Sequence, residues 1–319
     1  MAGVDVSLLS RVFGLILLSR AHFLMGGILF YALGAVVARA DGAAPNLLVL
    51  GWGLVGVSAI QLLTHLLNEF FDADRDAMVT NRTLFSGGSG MIGAGKLSKR
   101  VALTGATVCG LVGIAVALSI AWLPGWEASA GPAFAPEVAL IYVIAWVIGV
   151  GYSAPPLRLM TRGLGEGAAA FVVALLTPMA GFAVASGELS ARVVWLGMPL
   201  MAASMAFMIT VELPDYDVDL CTGKRNWVVR LGRDRSGALH NALLLISYLA
   251  LAAVCVSGKL PGRVATLLWL TVPVAVWQIG GVCFLKRRGW GHYGWLAAGG
   301  FVLMGLYALL AGVGFWLQA

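Results

Sequence analysis

Charge is scarce in this chain. Asp, Glu, Lys and Arg together make up 11% of its 319 residues, against about a quarter in an average soluble domain. With 60% hydrophobic residues, that scarcity excludes a soluble enzyme, a disordered chain and a collagen-like fibre. Cysteine is sparse as well. Cys109, Cys221, Cys255 and Cys283 stand apart, with no CxxC pair and no histidine at zinc spacing. Neither a disulfide framework nor a zinc site is expected, and the four read as buried free thiols. No internal repeat is visible at the level of residue identity.

What the chain has in abundance is apolar sequence, with a mean hydropathy of +0.90. A membrane-crossing helix needs about 20 mostly apolar residues. Polar interruptions mark nine such stretches, at 21–39, 47–68, 101–122, 136–152, 167–186, 193–212, 237–257, 264–285 and 294–317. The fold expected is all-α and polytopic, a single membrane-embedded domain over 1–319, divisible into two related halves near residue 165. The shorter run Val12–Leu18, between Arg11 and Arg20, cannot span and reads as an interfacial helix.

The net charge of +6 comes from 21 basic and 15 acidic residues. In a soluble protein it would raise nucleic acid as a partner; here it is a topology signal, and no nucleic-acid partner is expected. Seventeen Lys and Arg fall in the N-terminus and the gaps after spans 2, 4, 6 and 8, whereas the opposite side holds only Arg39, Arg192, Lys259 and Arg263. Basic residues concentrate in cytoplasmic loops, which puts the first side in the cytoplasm of a bacterial or archaeal cell membrane. Trp122, Trp195, Trp290 and Trp316 near span ends fit an interfacial aromatic belt.

The acids are not spread evenly either: eight of the 15 lie in two short segments. The first is Asn68-Glu69-Phe70-Phe71-Asp72-Ala73-Asp74-Arg75-Asp76, in which Asn68, Asp72 and Asp76 share one side of a helix. The second is Glu212-Leu213-Pro214-Asp215-Tyr216-Asp217-Val218-Asp219, in which Glu212, Asp215 and Asp219 share a face. Asp74 and Asp217 point elsewhere. Pro214 should end or kink its span. Carboxylates along one face repel each other unless a cation lies between them. Helix-end acids can simply be solvated caps. Two clusters of matching spacing on one side of the membrane favour instead a shared site for Mg²⁺ and a diphosphate. Arg75, Arg82, Lys224 and Arg225 stand close by to neutralise phosphate. A cation-coupled transporter is the reading from another class, but its carboxylates would sit near mid-span rather than at a rim.

These motifs resemble those of the UbiA superfamily of intramembrane prenyltransferases. Asn68-Glu69-x-x-Asp72-x-x-x-Asp76 is similar to the first aspartate-rich motif. Asp215-x-x-x-Asp219, with Gly223-Lys224-Arg225 and Val229-Arg230-Leu231-Gly232, is similar to the second. Tyr152-Ser153-x-Pro155-Pro156-x-Arg158 with Arg162-Gly163-Leu164-Gly165-Glu166 resembles the segment after the fourth helix. Asn81-Arg82-Thr83 with Ser86-Gly87-Gly88 resembles the corresponding loop of quinone-pathway members. The family usually has Asp where this chain has Glu69, and Thr where it has Asn226, which Trp227 follows.

The resemblance implies nine helices around a central cavity facing the cytoplasm, and Mg²⁺-dependent transfer of a polyprenyl group from its diphosphate to an aromatic acceptor. It assigns Asn68, Asp72, Asp76, Glu212, Asp215 and Asp219 to the metal. Asn68, Arg75, Arg82, Arg158, Arg162, Lys224 and Arg225 go to the substrates, and Tyr152 to the allylic cation; Arg20, at the start of span 1, either snorkels to the interface or turns inward to an acceptor carboxylate or the diphosphate. The branch most similar uses 1,4-dihydroxy-2-naphthoate; 4-hydroxybenzoate, another lipid acceptor or cyclisation of the prenyl chain are the alternatives. His65 is expected to be packed and hydrogen-bonded, and Trp227 to matter far less than the carboxylates. The run Gly90-x4-Gly95-Lys96 imitates a phosphate loop, but Leu97 stands where Ser or Thr belongs and no strand precedes it; a lid over the site is the expectation.

Overall fold

In a bilayer every backbone N–H and C=O must find its partner within the protein, so apolar runs of this length become helices. The computed structural model describes residues 8–80, 82–122, 136–291 and 294–318, with the backbone alone at 8–12 and 122. Asn81 and the side chains of Arg11 and Trp122 therefore lie outside the described residues. A short helix α1 (Leu8–Leu18) precedes the spans and buries Leu18 against Leu63 and Leu66. Nine helices long and apolar enough to cross a membrane follow among the described residues. They are α2 (Ala21–Ala40), α3 (Leu47–Asp76), α4 (Lys99–Ala121), α5 (Pro136–Ser153), α6 (Gly165–Ser186), α7 (Ala191–Cys221), α8 (Trp227–Val256), α9 (Gly262–Arg288) and α10 (Gly294–Trp316).

The spans expected from hydropathy agree with these helices except where a helix outruns its apolar stretch. Helix α3 continues to Asp76, α7 to Cys221, and α8 begins at Trp227 rather than near 237. On α3 the helical ladder runs on past the first charges, whereas the polar end of α7 follows a 3-10 turn at Leu213–Asp215 and that of α8 is set off by Gly232, whose φ 75° and ψ 162° are not helical. Outward faces remain apolar, with Leu111, Leu118, Leu245, Leu249, Val276 and Val302 exposed, as a lipid-facing surface requires.

Helices α3, α4 and α5 pack together, α2 lies against α6 and α10, and α7 is flanked by α6, α8 and α10. Six of the nine (α2, α3, α5, α6, α7 and α10) line one cavity of about 640 Å³, while α4, α8 and α9 contribute nothing to its wall and brace it from outside. Helix α6 widens into a π-helical turn at Val172–Leu176, just before Pro178, whose missing N–H breaks the regular ladder. The Val172 carbonyl accepts from both the backbone N–H and, at 2.9 Å, the hydroxyl of Thr177, which closes the wide turn.

At the end away from the acidic clusters, the four basic residues of the sparse side all have partners. Arg39 lies over the Trp316 ring, Lys259 over Trp195, Arg192 pairs with Asp41, and Arg263 donates to the Leu317 carbonyl. The four cysteines carry free thiols, as expected. None is fully buried, against expectation: Cys109 and Cys255 are half-buried, and Cys221 and Cys283 are exposed, the first because it ends α7 and the second because it lies on the outer side of α9.

Helices α2 and α6 approach each other closely. A Cβ at Gly34 would lie 1.8 Å from the Pro178 carbonyl oxygen, and one at Gly181 would lie 1.9 Å from the Tyr31 carbonyl oxygen. Each glycine thus admits the other helix's backbone, the way small residues let membrane helices meet. Gly280, on the outside of α9, has nothing within 4 Å of a built Cβ. Gly34→Ala is therefore expected to destabilise by about 2 kcal/mol or more through backbone overlap, and Gly280→Ala to be neutral or to stabilise by about 0.5–1 kcal/mol through helix propensity. Thermal unfolding in detergent compares the two.

Candidate active site

The two acidic helix ends meet at the mouth of the cavity. On α3, Asn68, Asp72 and Asp76 line it together, as their four-residue spacing predicts, and the Asn68 amide donates to Asp72 Oδ2 at 3.2 Å. Asp74 turns away and pairs with Lys99 at 2.8 Å. On α7 the helix tightens into a 3-10 turn at Leu213–Asp215, where Pro214 cannot continue the ladder. Beyond it Asp215 and Asp219 join Glu212 on the cavity wall, while Asp217 faces the opposite way and pairs with Arg233 at 2.6 Å.

Cations separate the carboxylates. Arg75 bridges the clusters: its Nη1 lies 2.5 Å from Asp72, and its Nε 3.9 Å from Asp219 and 3.0 Å from the Thr222 hydroxyl. Lys224 lies 3.0 Å from Asp219 Oδ2. Burial alone would push the Lys224 ammonium towards neutrality. The carboxylates of Asp219, Asp72 and Glu212 outweigh it and hold its pKa above the usual lysine range. Arg20, at the start of α2, is treated alike: burial opposes its charge, and Glu69, Asp76 and Asp72 more than restore it.

Asn226, at a position where the resemblance expected Thr, does two jobs. Its side-chain oxygen caps α8 by accepting from Val229 N at 2.8 Å, and its amide donates to Asp219 Oδ2 at 2.9 Å. The second cluster is thereby tied to the start of the next helix.

The segment after α3 folds back across the mouth. Gly87 N donates to Asp215 Oδ2 at 3.0 Å. Gly88 has φ +65°, and a Cβ there would lie 1.9 Å from Asp76 Oδ2, so only glycine lets this backbone ride over the carboxylate. Ser89 bonds Glu69 through its amide and its hydroxyl. The segment lies over the site as expected of a lid. No strand precedes Gly90–Lys96 among the described residues, and Lys96 is exposed, so the phosphate-loop imitation ends there.

Of the other residues read from the sequence, Tyr152, Arg20, Arg75 and Lys224 line the cavity. Arg82, Arg158, Arg162 and Arg225 do not. Arg82 is exposed and donates to the carbonyls of Gly87 and Asp76. Arg158, Arg162 and Arg225 are exposed, and Arg230 binds the Arg162 and Arg225 carbonyls instead. A positive residue type in a rim loop does not specify which way the side chain leaves the backbone. His65 is hydrogen-bonded to the Ser19 carbonyl at 3.0 Å, as expected.

Trp227 is more engaged than its position suggested. Its indole donates to the Gly163 carbonyl at 2.9 Å, and its amide donates to buried Glu166 at 2.5 Å. Glu69 and Glu166 stood inside the recognised motifs without being assigned a role, and Ser89 was read only as part of the glycine-rich stretch. The one hint at Glu69 was its departure from Asp in the motif.

Among the described residues, no three carboxylate, thiol or imidazole groups converge tightly enough to hold a metal ion. Arg75 and Lys224 stand between the carboxylates where a cation would otherwise sit. The donor set nevertheless fits a hard divalent cation. It is all oxygen, and Asp215 Oδ1 and Glu212 Oε2 are buried without a hydrogen-bond partner among the described residues. Magnesium is commonly held by one or two carboxylates together with substrate phosphates, which asks less of the protein than a complete cage.

Below this rim the cavity wall is apolar, formed by Val57, Ile60, Ile141, Ile148, Val173, Leu176 and Met304 among others. The cavity thus joins a charged rim to an apolar interior. Residues 28–283 match the UbiA prenyltransferase family, and the chain belongs to it; it is an enzyme of the prenyltransferase class.

The fold is similar to that of a UbiA homologue from Archaeoglobus fulgidus bound to GPP and Mg²⁺, with TM-score 0.66, 17% identity and coverage of 95% of this chain and 99% of that one. It is similar also to the apo UbiA homologue from Aeropyrum pernix K1, with TM-score 0.64, 17% identity and coverage of 92% and 97%. A digeranylgeranylglyceryl phosphate synthase shares it at TM-score 0.59 and 12% identity, over 97% of this chain and 98% of that one. No curated protein sequence matches the chain.

The two bonds of Asn226 make a prediction. Asn226→Ala removes the α8 cap and should lower stability by about 1 kcal/mol. Asn226→Asp keeps a capping oxygen but sets a second carboxylate against Asp219, and is expected to be the more damaging of the two in a thermal unfolding assay.

Proposed function

We propose that this enzyme transfers a polyprenyl group from its diphosphate to an aromatic acceptor in quinone biosynthesis, with Mg²⁺, from the cytoplasmic side of the membrane. The observation that carries the reading is the continuity of the acidic and cationic mouth with an apolar interior in one cavity of about 640 Å³. Two states of the Archaeoglobus fulgidus homologue, bound to GPP with Mg²⁺ and to DMAPP with Mg²⁺, support it. For the acceptor we favour 1,4-dihydroxy-2-naphthoate, because Pro214-Asp215-Tyr216 and Tyr152-Ser153-Ala154-Pro155-Pro156 resemble that branch.

The roles follow from placement. Asp72, Asp76, Asp215 and Asp219, with Asn68 and Glu212, would hold Mg²⁺, which when bound offsets the charge of the diphosphate oxygens. Arg75, Lys224 and Arg20 face the cavity and stabilise the negative charge that gathers on the diphosphate as the allylic C–O bond breaks and its electron pair departs with the leaving group. Tyr152, on the cavity wall, would stabilise the electron-deficient carbon through its ring. The acceptor ring then forms the new C–C bond and loses a proton. The apolar wall excludes water that would otherwise quench the cation. Arg158, Arg162 and Arg225, outside the cavity, raise the local concentration of an anionic substrate by long-range attraction.

Asp72→Ala and Asp215→Ala are each expected to lower Mg²⁺-dependent diphosphate release by about 100-fold or more. Purified protein given Mg²⁺, several prenyl diphosphates and a panel of aromatic acceptors, with products read by mass spectrometry, tests the acceptor. Wild-type turnover by either variant would overturn the site, and a product only with 4-hydroxybenzoate would overturn the acceptor.

A further inference from the structure

Helix α3 presents two stripes. One is the cavity stripe Asn68, Asp72 and Asp76. The other is Gln61, His65 and Glu69, also at four-residue intervals, and all three of its members hold the junction between α1 and α2. Gln61 donates to the Phe23 carbonyl at 2.7 Å, His65 bonds the Ser19 carbonyl, and Glu69 takes Arg20. Arg20 itself has φ 51° and ψ 53°, a left-handed conformation that costs a non-glycine residue about 1–2 kcal/mol. Such a conformation persists only where the surroundings enforce it.

Glu69 is 2% exposed. Its Oε1 accepts from Arg20 Nε at 3.0 Å, Arg20 Nη2 at 2.8 Å and Ser89 N at 2.6 Å, and its Oε2 accepts from the Ser89 hydroxyl at 2.6 Å. Three donors saturate Oε1, the Ser89 hydroxyl occupies Oε2, and Glu69 is not among the residues that line the cavity, unlike Asn68, Asp72 and Asp76. The same carboxylate thus grips the cavity-facing arginine from one side and the lid from the other. Ser89 follows Gly87 and Gly88, which cover Asp215 and Asp76.

We propose that Glu69 is a positioning residue and not a cation ligand, and that it locks Arg20 and the Ser86–Gly90 lid into one unit across the mouth of the cavity. This rests on the diphosphate reading of the site. The methylene by which Glu exceeds Asp carries the carboxylate far enough from α3 to meet both partners. Closing the lid and presenting the guanidinium are then one event, since loss of the shared carboxylate releases both.

The test uses the full chain in detergent with geranyl diphosphate as probe, and the variants Glu69→Gln, Glu69→Asp and Ser89→Ala. Both Glu69 variants should raise KM for the diphosphate about tenfold, the factor one charge-assisted hydrogen bond carries, with kcat changed less. The Mg²⁺ concentration giving half-maximal rate should stay at the wild-type value. Amide hydrogen exchange at Ser86–Gly90, measured without substrate, should quicken. Ser89→Ala, a surface-loop change that should leave the bundle folded, is expected to move KM and exchange the same way by less. The double variant Glu69→Gln/Ser89→Ala should be no worse than Glu69→Gln alone, since both act through one contact. A shifted Mg²⁺ requirement in Glu69→Gln, unchanged lid exchange, or fully additive losses would each overturn the proposal. A wild-type protein that consumes no prenyl diphosphate would overturn the functional reading instead, and the exchange measurement would still decide the latch.

Discussion

Two negatively charged helix ends can approach each other inside a membrane protein only if positive charge lies between them. With little water to screen them, unpaired carboxylates at this depth would drive α3 and α7 apart. Arg75 supplies the first of the positive charges, reaching Asp72 on its own helix and Asp219 on the other. Lys224 supplies the second, from the turn beyond α7. These are positions that a metal ion and a diphosphate would contest, so the contacts that hold the mouth together are also those that substrate must rearrange. Removing either cation would leave buried acids without compensation, a larger loss than the pair itself contributes.

The lid obeys the same electrostatics with backbone instead of side chains. Its amides at Gly87 and Ser89 point at carboxylates from both clusters, and its glycines let the chain pass within contact distance of Asp76. Peptide N–H groups carry partial positive charge without the bulk or desolvation demand of a lysine. They can therefore cover an acidic mouth closely and still yield it to a stronger competitor.

Much of the site could be read from residue spacing, because a helix converts a four-residue interval into a shared face. Asn68, Asp72 and Asp76 converge for that reason, and the same geometry turns Asp74 and Asp217 outward to Lys99 and Arg233. The bundle was equally legible, since hydropathy measures what the bilayer demands. Contacts between residues distant in the chain were not. Nothing periodic links Glu69 to Ser89, or Glu166 to Trp227, and the tie between Asn226 and Asp219 depends on how a turn closes. The arginines at 158, 162 and 225 had the right chemistry and the wrong direction, a property of loop backbone that composition does not record. The end of α3 was misjudged, since polarity changes there while hydrogen bonding does not; on α7 and α8 the regular helix is interrupted beside the polar segment, at Pro214 and at Gly232.

The contact of Gly34 with Pro178 and of Gly181 with Tyr31 has a mechanical corollary. Where two backbones touch, no side chain can swing aside and nothing can be compressed, so α2 and α6 form a fixed jaw. Beside them on the cavity wall α10, packed against α2, offers Gly305, which has nothing within 4 Å of a built Cβ. A hydrocarbon tail entering this space meets one wall that cannot yield and one with room left in it. Differences in the girth of the guest must be absorbed on the α10 side.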